Sequence, residues 1–376
     1  MAGNDDKRII PGEPEDYDGF ENSWYDDAEP PVDEMVGENG GKAKFFSFPE
    51  AHALARKIAE AKSLDEVEGL LETTTRLLKK RGASEKGYLG ACRACLTAVR
   101  AMRSNGLSPA LGRSGSRAAV RYVLPVFVAG NMKLPFWTWS KLPVYTCPGK
   151  GRCAAFCYSI KHFGHGYAYF TWAQNTLLSH FRPDIIAQAF QKLPAASVLR
   201  LHIDGDFENP AEIAHWMRIL NERPAVFDGN VQVGGISSYC YSKSWKELLE
   251  YDDVVGIWPK HFWINLSSDG KWEGDAEMRR RMMALPCTRG EFVVVEDQNM
   301  PQRRIGVSMT GDEKDALSDA RYAVVAADMK AKYQGKQPWF VCRGKCAVCV
   351  DHGNGVFRHA CGHEKYKGFV IGIGKH

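Results

Sequence analysis

The sequence predicts an α/β protein with a parallel, barrel-like sheet, preceded by a helical module and followed by a cysteine-rich segment. Three observations carry this. From about residue 117 onward, short apolar runs alternate with helical stretches, as in strands joined by helices in a parallel sheet. Before that point apolar residues recur at steps of three and four, the period of a helix with one buried face. Finally, seven of the eleven cysteines fall into two tight groups, one entering the alternating region and one near the C-terminal end.

Taken in order, residues 1–44 form an acidic tail. Residues 1–42 hold thirteen Asp or Glu against three Lys or Arg, and with Pro30, Pro31, Gly40 and Gly41 they read as a segment without a core. The helical module, residues 45–116, opens with Leu54, Ile58, Ala61, Leu64, Val67 and Leu71 on one stripe across 48–80. Gly82 closes that run and a second helix covers 85–102. Cys92 and Cys95 stand at helical spacing among alanines and read as small core residues. A Gly/Ser-rich link at 112–116 leads to the α/β part, residues 117–338. Its expected strands are 122–128, 198–203, 231–237, 254–258, 263–266 and 292–295, and its expected helices include 170–193 and 211–221. Residues 339–376 form the cysteine-rich segment.

Charge is unevenly spread. The net charge is +4, and the tail carries roughly −10, so the rest of the chain carries about +14. A basic body favours polyanions, nucleic acid first, although ordinary solvation beside a neutralising tail explains it too. No run of about 18 uncharged apolar residues is present, so no membrane association is expected. The start lacks a secretory pattern, so a cytoplasmic location is expected.

Clustered cysteines in a reducing compartment bind metal or do redox chemistry. The first group is Cys147, Cys153 and Cys157 in YTCPGKGRCAAFCYS, a loop broken by Pro148, Gly149 and Gly151. Three thiolates leave one iron of a 4Fe–4S cluster open. In radical S-adenosylmethionine (radical SAM) enzymes that iron chelates the methionine moiety, and an electron from the cluster generates a 5′-deoxyadenosyl radical. The second group is Cys342, Cys346, Cys349 and Cys361, enough to close a zinc site or saturate a second iron–sulfur cluster. His352, His359 and His363 are possible substitutes. The C-x3-C-x2-C spacing familiar from radical clusters occurs in this second group, whereas the first has C-x5-C-x3-C. Position nevertheless assigns the reactive cluster to the first group, which follows an early strand and has Phe156 before its last cysteine. A zinc knuckle completed by His162, His165 or Cys240 is the alternative. Cys240 and Cys287 have no neighbours in sequence.

Two further segments end expected strands, where parallel α/β folds place ligand contacts. LRLHIDGDFENP brings Gly205 and Asp206, which would meet the amino group of the cofactor in place of a Gly-Gly-Glu-Pro segment. SSYCYSKSW brings Ser242, Lys243 and Ser244 for the cofactor carboxylate and ribose, with Tyr239 and Tyr241 for stacking. Asn265 to Asp269 is a third polar strand end. His162, His165, Tyr167, Tyr169 and Trp172 offer either base stacking or core packing. Arg279, Arg280, Arg281, Arg303 and Arg304 offer either phosphate contacts or solvated helix faces.

CPGKGRCAAFCYS, LHIDGDF with Trp216 after it, YCYSKSW and the late cysteines together resemble the phage and plasmid gene product 88 family, over roughly residues 140–365. That family looks like a divergent branch of radical SAM proteins. The resemblance implies a partial (β/α) TIM-like barrel and a cytoplasmic setting (the host cytoplasm if phage-encoded). It also implies S-adenosylmethionine as cofactor and an electron donor such as flavodoxin or ferredoxin. By analogy with phage enzymes of radical type, it implies an isomerase acting on an amino-acid adduct of thymidine in hypermodified DNA. The competing expectation is a zinc-stabilised, non-catalytic DNA-binding protein. A nuclease using Asp204, Asp206 and a metal ion is a third.

Overall fold

The computed structural model describes residues 46–85, 87–113, 124–130, 134–229, 231–297, 299–301, 309–342 and 360–374. The acidic tail, most of the 112–116 link, Arg303, Arg304, Cys346, Cys349, His352, His359 and the Phe156 side chain lie outside them.

The helical stripe at 48–80 divides into α1 (Phe48–Glu60) and α2 (Leu64–Lys80), followed by α3 (Tyr88–Arg103). The division comes from capping: Ser47 and Glu50 form a capping box on α1, and the Ser63 side chain accepts from the Glu66 N–H to start α2. Val67 and Leu71 are fully buried between these helices, as are Cys92 and Cys95, which are core residues as their spacing suggests.

The rest of the chain builds one large sheet and its helices. In order these are β1 (Leu111–Arg113), β2 (Phe127–Ala129), β3 (Trp137–Trp139), α4 (Gly166–Phe181), α5 (Pro183–Gln191), β4 (Ser197–Leu201) and α6 (Pro210–Glu222). A small hairpin follows, β5 (Val226–Asp228) and β6 (Val231–Gly234). Then come β7 (Ile236–Ser242), α7 (Trp245–Val254), β8 (Phe262–Ser267), α8 (Ala276–Ala284), β9 (Thr288–Val295), α9 (Gly311–Tyr333), β10 (Trp339–Val341) and β11 (Phe369–Gly374). Nine strands pair in the order β1-β2-β3-β4-β7-β8-β9-β11-β10. All neighbours are parallel except β2 and β3. From β3 to β9 each strand lies beside the next large-sheet strand in sequence, the arrangement produced by repeated strand–helix–strand crossovers. β1 and β10 are the two edges, so among the described residues the sheet is open and no barrel closes.

Several expected elements change. Residues 254–258 are not a strand. They are the last residue of α7 and the loop after it, with Val254 and Ile257 exposed and Gly256 at a positive φ ending the helix. The apolar run there faces solvent, which periodicity cannot distinguish from a buried strand. The 231–237 run is interrupted by Gly235 (φ +62), where a Cβ would lie 1.8 Å from the Pro224 carbonyl oxygen. That turn separates the hairpin from β7. Pro183 likewise divides the expected 170–193 helix into α4 and α5.

The helices cover one face of the sheet. Leu199, Leu201, Cys240, Ile264 and Leu266 point to that side, into a core continuous with α1–α3. The opposite face carries a smaller cluster of Phe136, Tyr239, Trp263, Cys361 and Ile371.

Candidate metal centre at the strand ends

The first cysteine group leaves β3 and crosses the C-terminal ends of the next three strands of the large sheet. At β4 the contact is mutual: Lys141 N–H donates to the Asp204 carbonyl (2.9 Å), and Asp206 N–H donates to the Thr146 carbonyl (3.1 Å). The turn needs Gly205, whose φ is +78 and whose Cβ would stand 2.7 Å from Thr146 Oγ1. At β7, Gly149 lies so close to the Lys243 backbone that a Cβ would fall 1.7 Å from its carbonyl oxygen. At β8, Lys271 N–H donates to the Gly149 carbonyl (2.9 Å), Cys153 N–H donates to the Asp269 carbonyl (3.1 Å), and the Arg152 guanidinium binds the Asp269 carboxylate (2.5 Å). Strained backbone collects here. Among the described residues five non-glycine positions have positive φ, and Val144, His202 and Asp269 are three of them.

The electrostatics follow from burial. Burial raises the Cys147 thiol, and Asp206 and Cys157 raise it further, while Lys243 opposes them. Burial also raises Cys157, with Asp204 and Cys153 adding to it. Burial pushes Asp204 up to about 6 against hydrogen bonds from Ser159 and Ser140. Asp206 is fully committed: it accepts from Ser242 Oγ (2.8 Å), the Lys243 N–H (2.7 Å) and the Phe207 N–H (2.9 Å). Lys243 Nζ donates to Ser267 Oγ (2.6 Å). Ser244 precedes the first turn of α7, is fully buried, and its hydroxyl has no hydrogen-bond partner among the described residues.

Cys147, Cys153, Cys157, Gly205, Asp206, Ser242, Lys243 and Ser244 therefore meet in one region. Asp206 and Ser242 bind each other and tie β4 to β7. Asn265 lies deeper in the sheet, donating to the Cys240 and Cys361 carbonyls (3.0 and 2.9 Å) and accepting from Arg289. Tyr169 and Trp172 are buried in the core and Tyr169 donates to the Ala51 carbonyl, so packing is their role. Arg280 and Arg281 pair with Glu277 and Asp253, as solvated helix-face residues do, whereas Arg279 binds the buried carboxylate of Glu291 on β9. Of the second cysteine group, Cys342 follows β10, and it and Cys361 both pack in the cluster on the face opposite the helices. Among the described residues no group of three His, Cys, Asp or Glu side chains is arranged to hold a metal ion, and no helix is long and apolar enough to cross a membrane.

Sequence reasoning missed Lys141. It is fully buried two residues past β3, and its ammonium lies 2.7 Å from both Glu208 and Glu212. His180 completes the network at Glu208 (2.9 Å). Nothing in a lone lysine between Ser140 and Leu142 marks such a site. Arg200 was also missed, standing between leucines in an otherwise apolar strand.

The fold and site define a class: an α/β protein whose mostly parallel sheet gathers an early cysteine loop and three polar strand ends at the C-terminal ends of its interior strands. Residues 111–352, more than half the chain, match the family model described as Gene product 88, and the chain belongs to that family. No curated protein matches it, and no solved structure does.

Proposed function

We propose that this chain is a radical SAM enzyme acting on a modified nucleotide in DNA, as an isomerase of an amino-acid adduct on thymidine. The observation that carries the reading is the order of the site: three thiols after β3, then GDF after β4 and YSKS at the end of β7, on sequential strands of the large sheet and in mutual contact.

The chemistry of the donor set, rather than its present geometry, suits a cluster. Three thiols share an eleven-residue loop, and the thiols at Cys147 and Cys157 are made more basic by burial and by neighbouring negative groups, a cost that a cationic centre removes. A 4Fe–4S cluster on Cys147, Cys153 and Cys157 would supply an open iron for S-adenosylmethionine and the electron that cleaves it. The chain's own residues do the holding. Lys243 and Ser244, beside the N-terminal end of α7, suit a carboxylate. Gly205 permits close backbone approach. Asp206, with both oxygens engaged, acts as a positioning residue that fixes Ser242 and the Lys243 backbone. Cys342, Cys346, Cys349 and Cys361 would hold a second cluster or zinc, and a flavodoxin or ferredoxin would supply electrons. The basic body of about +14 supports a DNA substrate.

The test is anaerobic reconstitution with iron and sulfide, followed by dithionite and S-adenosylmethionine. Formation of 5′-deoxyadenosine, lost in Cys153→Ala, is the expected result. A reconstituted protein that makes none overturns the reading.

A further inference from the structure

The described residues expose seven large apolar side chains, and all seven lie on two neighbouring segments. Val226, Phe227, Val231 and Val233 belong to the β5–β6 hairpin, and Val254, Val255 and Ile257 to the end of α7 and the loop before β8. The hairpin runs into β7 and the loop into β8, and these two strands pair in parallel. Both segments therefore stand at the N-terminal ends of the strands, opposite the cysteine loop. Phe227 packs on His261 at 4.7 Å, and the Ser238 N–H donates to the His261 carbonyl (2.9 Å), joining the two segments into one patch. The hairpin is pinned by Gln232, whose amide donates to the Ser197 carbonyl (3.1 Å) and accepts from Ser237 Oγ (2.8 Å). Val231 and Val233, on either side of Gln232, face away from the body by strand alternation. Val233 is 54% exposed, Ile257 62% and Val254 84%.

We propose that this patch is the interface with a second copy of the chain, the two copies related by a two-fold axis, the commonest symmetry of identical chains. Exposed apolar patches gain most from association. Seven such side chains offer several hundred Å² toward the roughly 800 Å² that each partner of a standard interface contributes. Charge favours an identical face over other occupants. Residues 226–234 carry only Asp228, and residues 254–258 carry no charge. At the border Asp252 accepts from Trp258 Nε1 (2.7 Å) and Asp253 pairs with Arg281 (2.6 Å). Two copies of such a face meet without net repulsion, apolar at the centre and polar at the rim. A nucleic acid, an anionic lipid surface or the chain's own acidic tail would need clustered basic residues, and the two segments contain no lysine or arginine. Among the described residues β5 and β6 form a sheet of their own, and neither strand carries the lysine or proline that keeps a further strand away. Pairing through this end leaves the cysteine loops of both copies facing outward.

Sedimentation equilibrium of the full chain from about 1 to 100 μM tests this. The mass should rise with concentration toward twice the 42.0 kDa of one chain. Val233→Lys on the hairpin and Ile257→Lys on the loop should each raise the dimer dissociation constant about 100-fold or more, because each buries an unpaired ammonium against the apolar face of the other copy. Both side chains are exposed in the single chain, so thermal melting of the monomeric variants should match that of wild-type protein diluted to monomer. Should one variant melt early, the other decides. A chain that stays at 42.0 kDa throughout overturns the inference. Flotation of that single chain with neutral phosphatidylcholine vesicles would then assign the patch to a lipid surface, and carbodiimide cross-linking of residues 1–45 to Lys260 would assign it to the tail. A dimer that both variants leave intact also overturns it, since the contact then lies elsewhere on the molecule.

Discussion

At the scale of single residues, the buried charge network and one glycine decide how the site is held. Burial alone would raise Glu208, but the Lys141 ammonium and His180 outweigh it and bring its carboxyl from 4.5 down to about 2. A depressed carboxylate stabilises the fold above its unfolded value, and that contribution is lost as pH falls through the folded one. Wild-type protein should therefore lose about 3 kcal/mol between roughly pH 4.5 and 2. Acid unfolding of Glu208→Gln should lack that component, and superimposable acid profiles would contradict the assignment. Gly205→Ala should destabilise by about 1–3 kcal/mol, because the new methyl meets Thr146 Oγ1 and Lys141 Cβ at 2.7 and 2.9 Å in a left-handed conformation. Thermal melting and iron retention should both fall, and an unchanged melting temperature would show that the turn is not required. At this scale the sequence was legible where chemistry is concentrated: CPGKGRC, DGD and YSKS all reach the site. It was silent on Lys141 and Arg200, since burial of a charge depends on which strands and helices close over it.

At the scale of elements, the cysteine loop is held between the strand ends on one side and the helical module on the other. Tyr145, two residues before Cys147, hydrogen-bonds His52 of α1, and Phe163, after Cys157, packs on His52 at 5.0 Å and Tyr169 at 5.1 Å. Phe163 is fully buried. Phe163→Ala should cost about 3–5 kcal/mol and should lower iron uptake in step, because the same ring joins α1, the turn after the loop and α4. Denaturant unfolding of the variant checks this, and a loss under about 1 kcal/mol would mean that the module and the loop are independent. Long periodic helices could be read from the sequence, but their divisions at Ser63 and Pro183 rest on local capping and ring sterics. The strand expected at 254–258 failed because an apolar run alone does not reveal whether it faces core or solvent. The three-residue strands β3 and β10 are too short to show any period.

At the scale of the whole molecule, the alternation of strands and helices correctly indicated a large, mostly parallel sheet, while closure could not be read from one chain's pattern. The open edge at β10 and the placement of β11 between β9 and β10 depend on where the chain after Cys342 returns to the sheet, a long-range event with no local signal. The two cysteine groups arrive at different parts of this sheet, the first across the ends of β4, β7 and β8, and Cys342 and Cys361 of the second on the face opposite the helices. The chain should therefore hold two metal sites of different chemistry or a pair of clusters, with the reactive one on the first group. The most direct test is anaerobic purification followed by iron, sulfide and zinc analysis with an absorption spectrum. The purified protein should be brown with about four to eight irons per chain, should lose about four in a Cys147→Ala, Cys153→Ala, Cys157→Ala variant, and should change its spectrum when S-adenosylmethionine is added. A colourless protein that holds only zinc, and stays colourless after reconstitution, would contradict it.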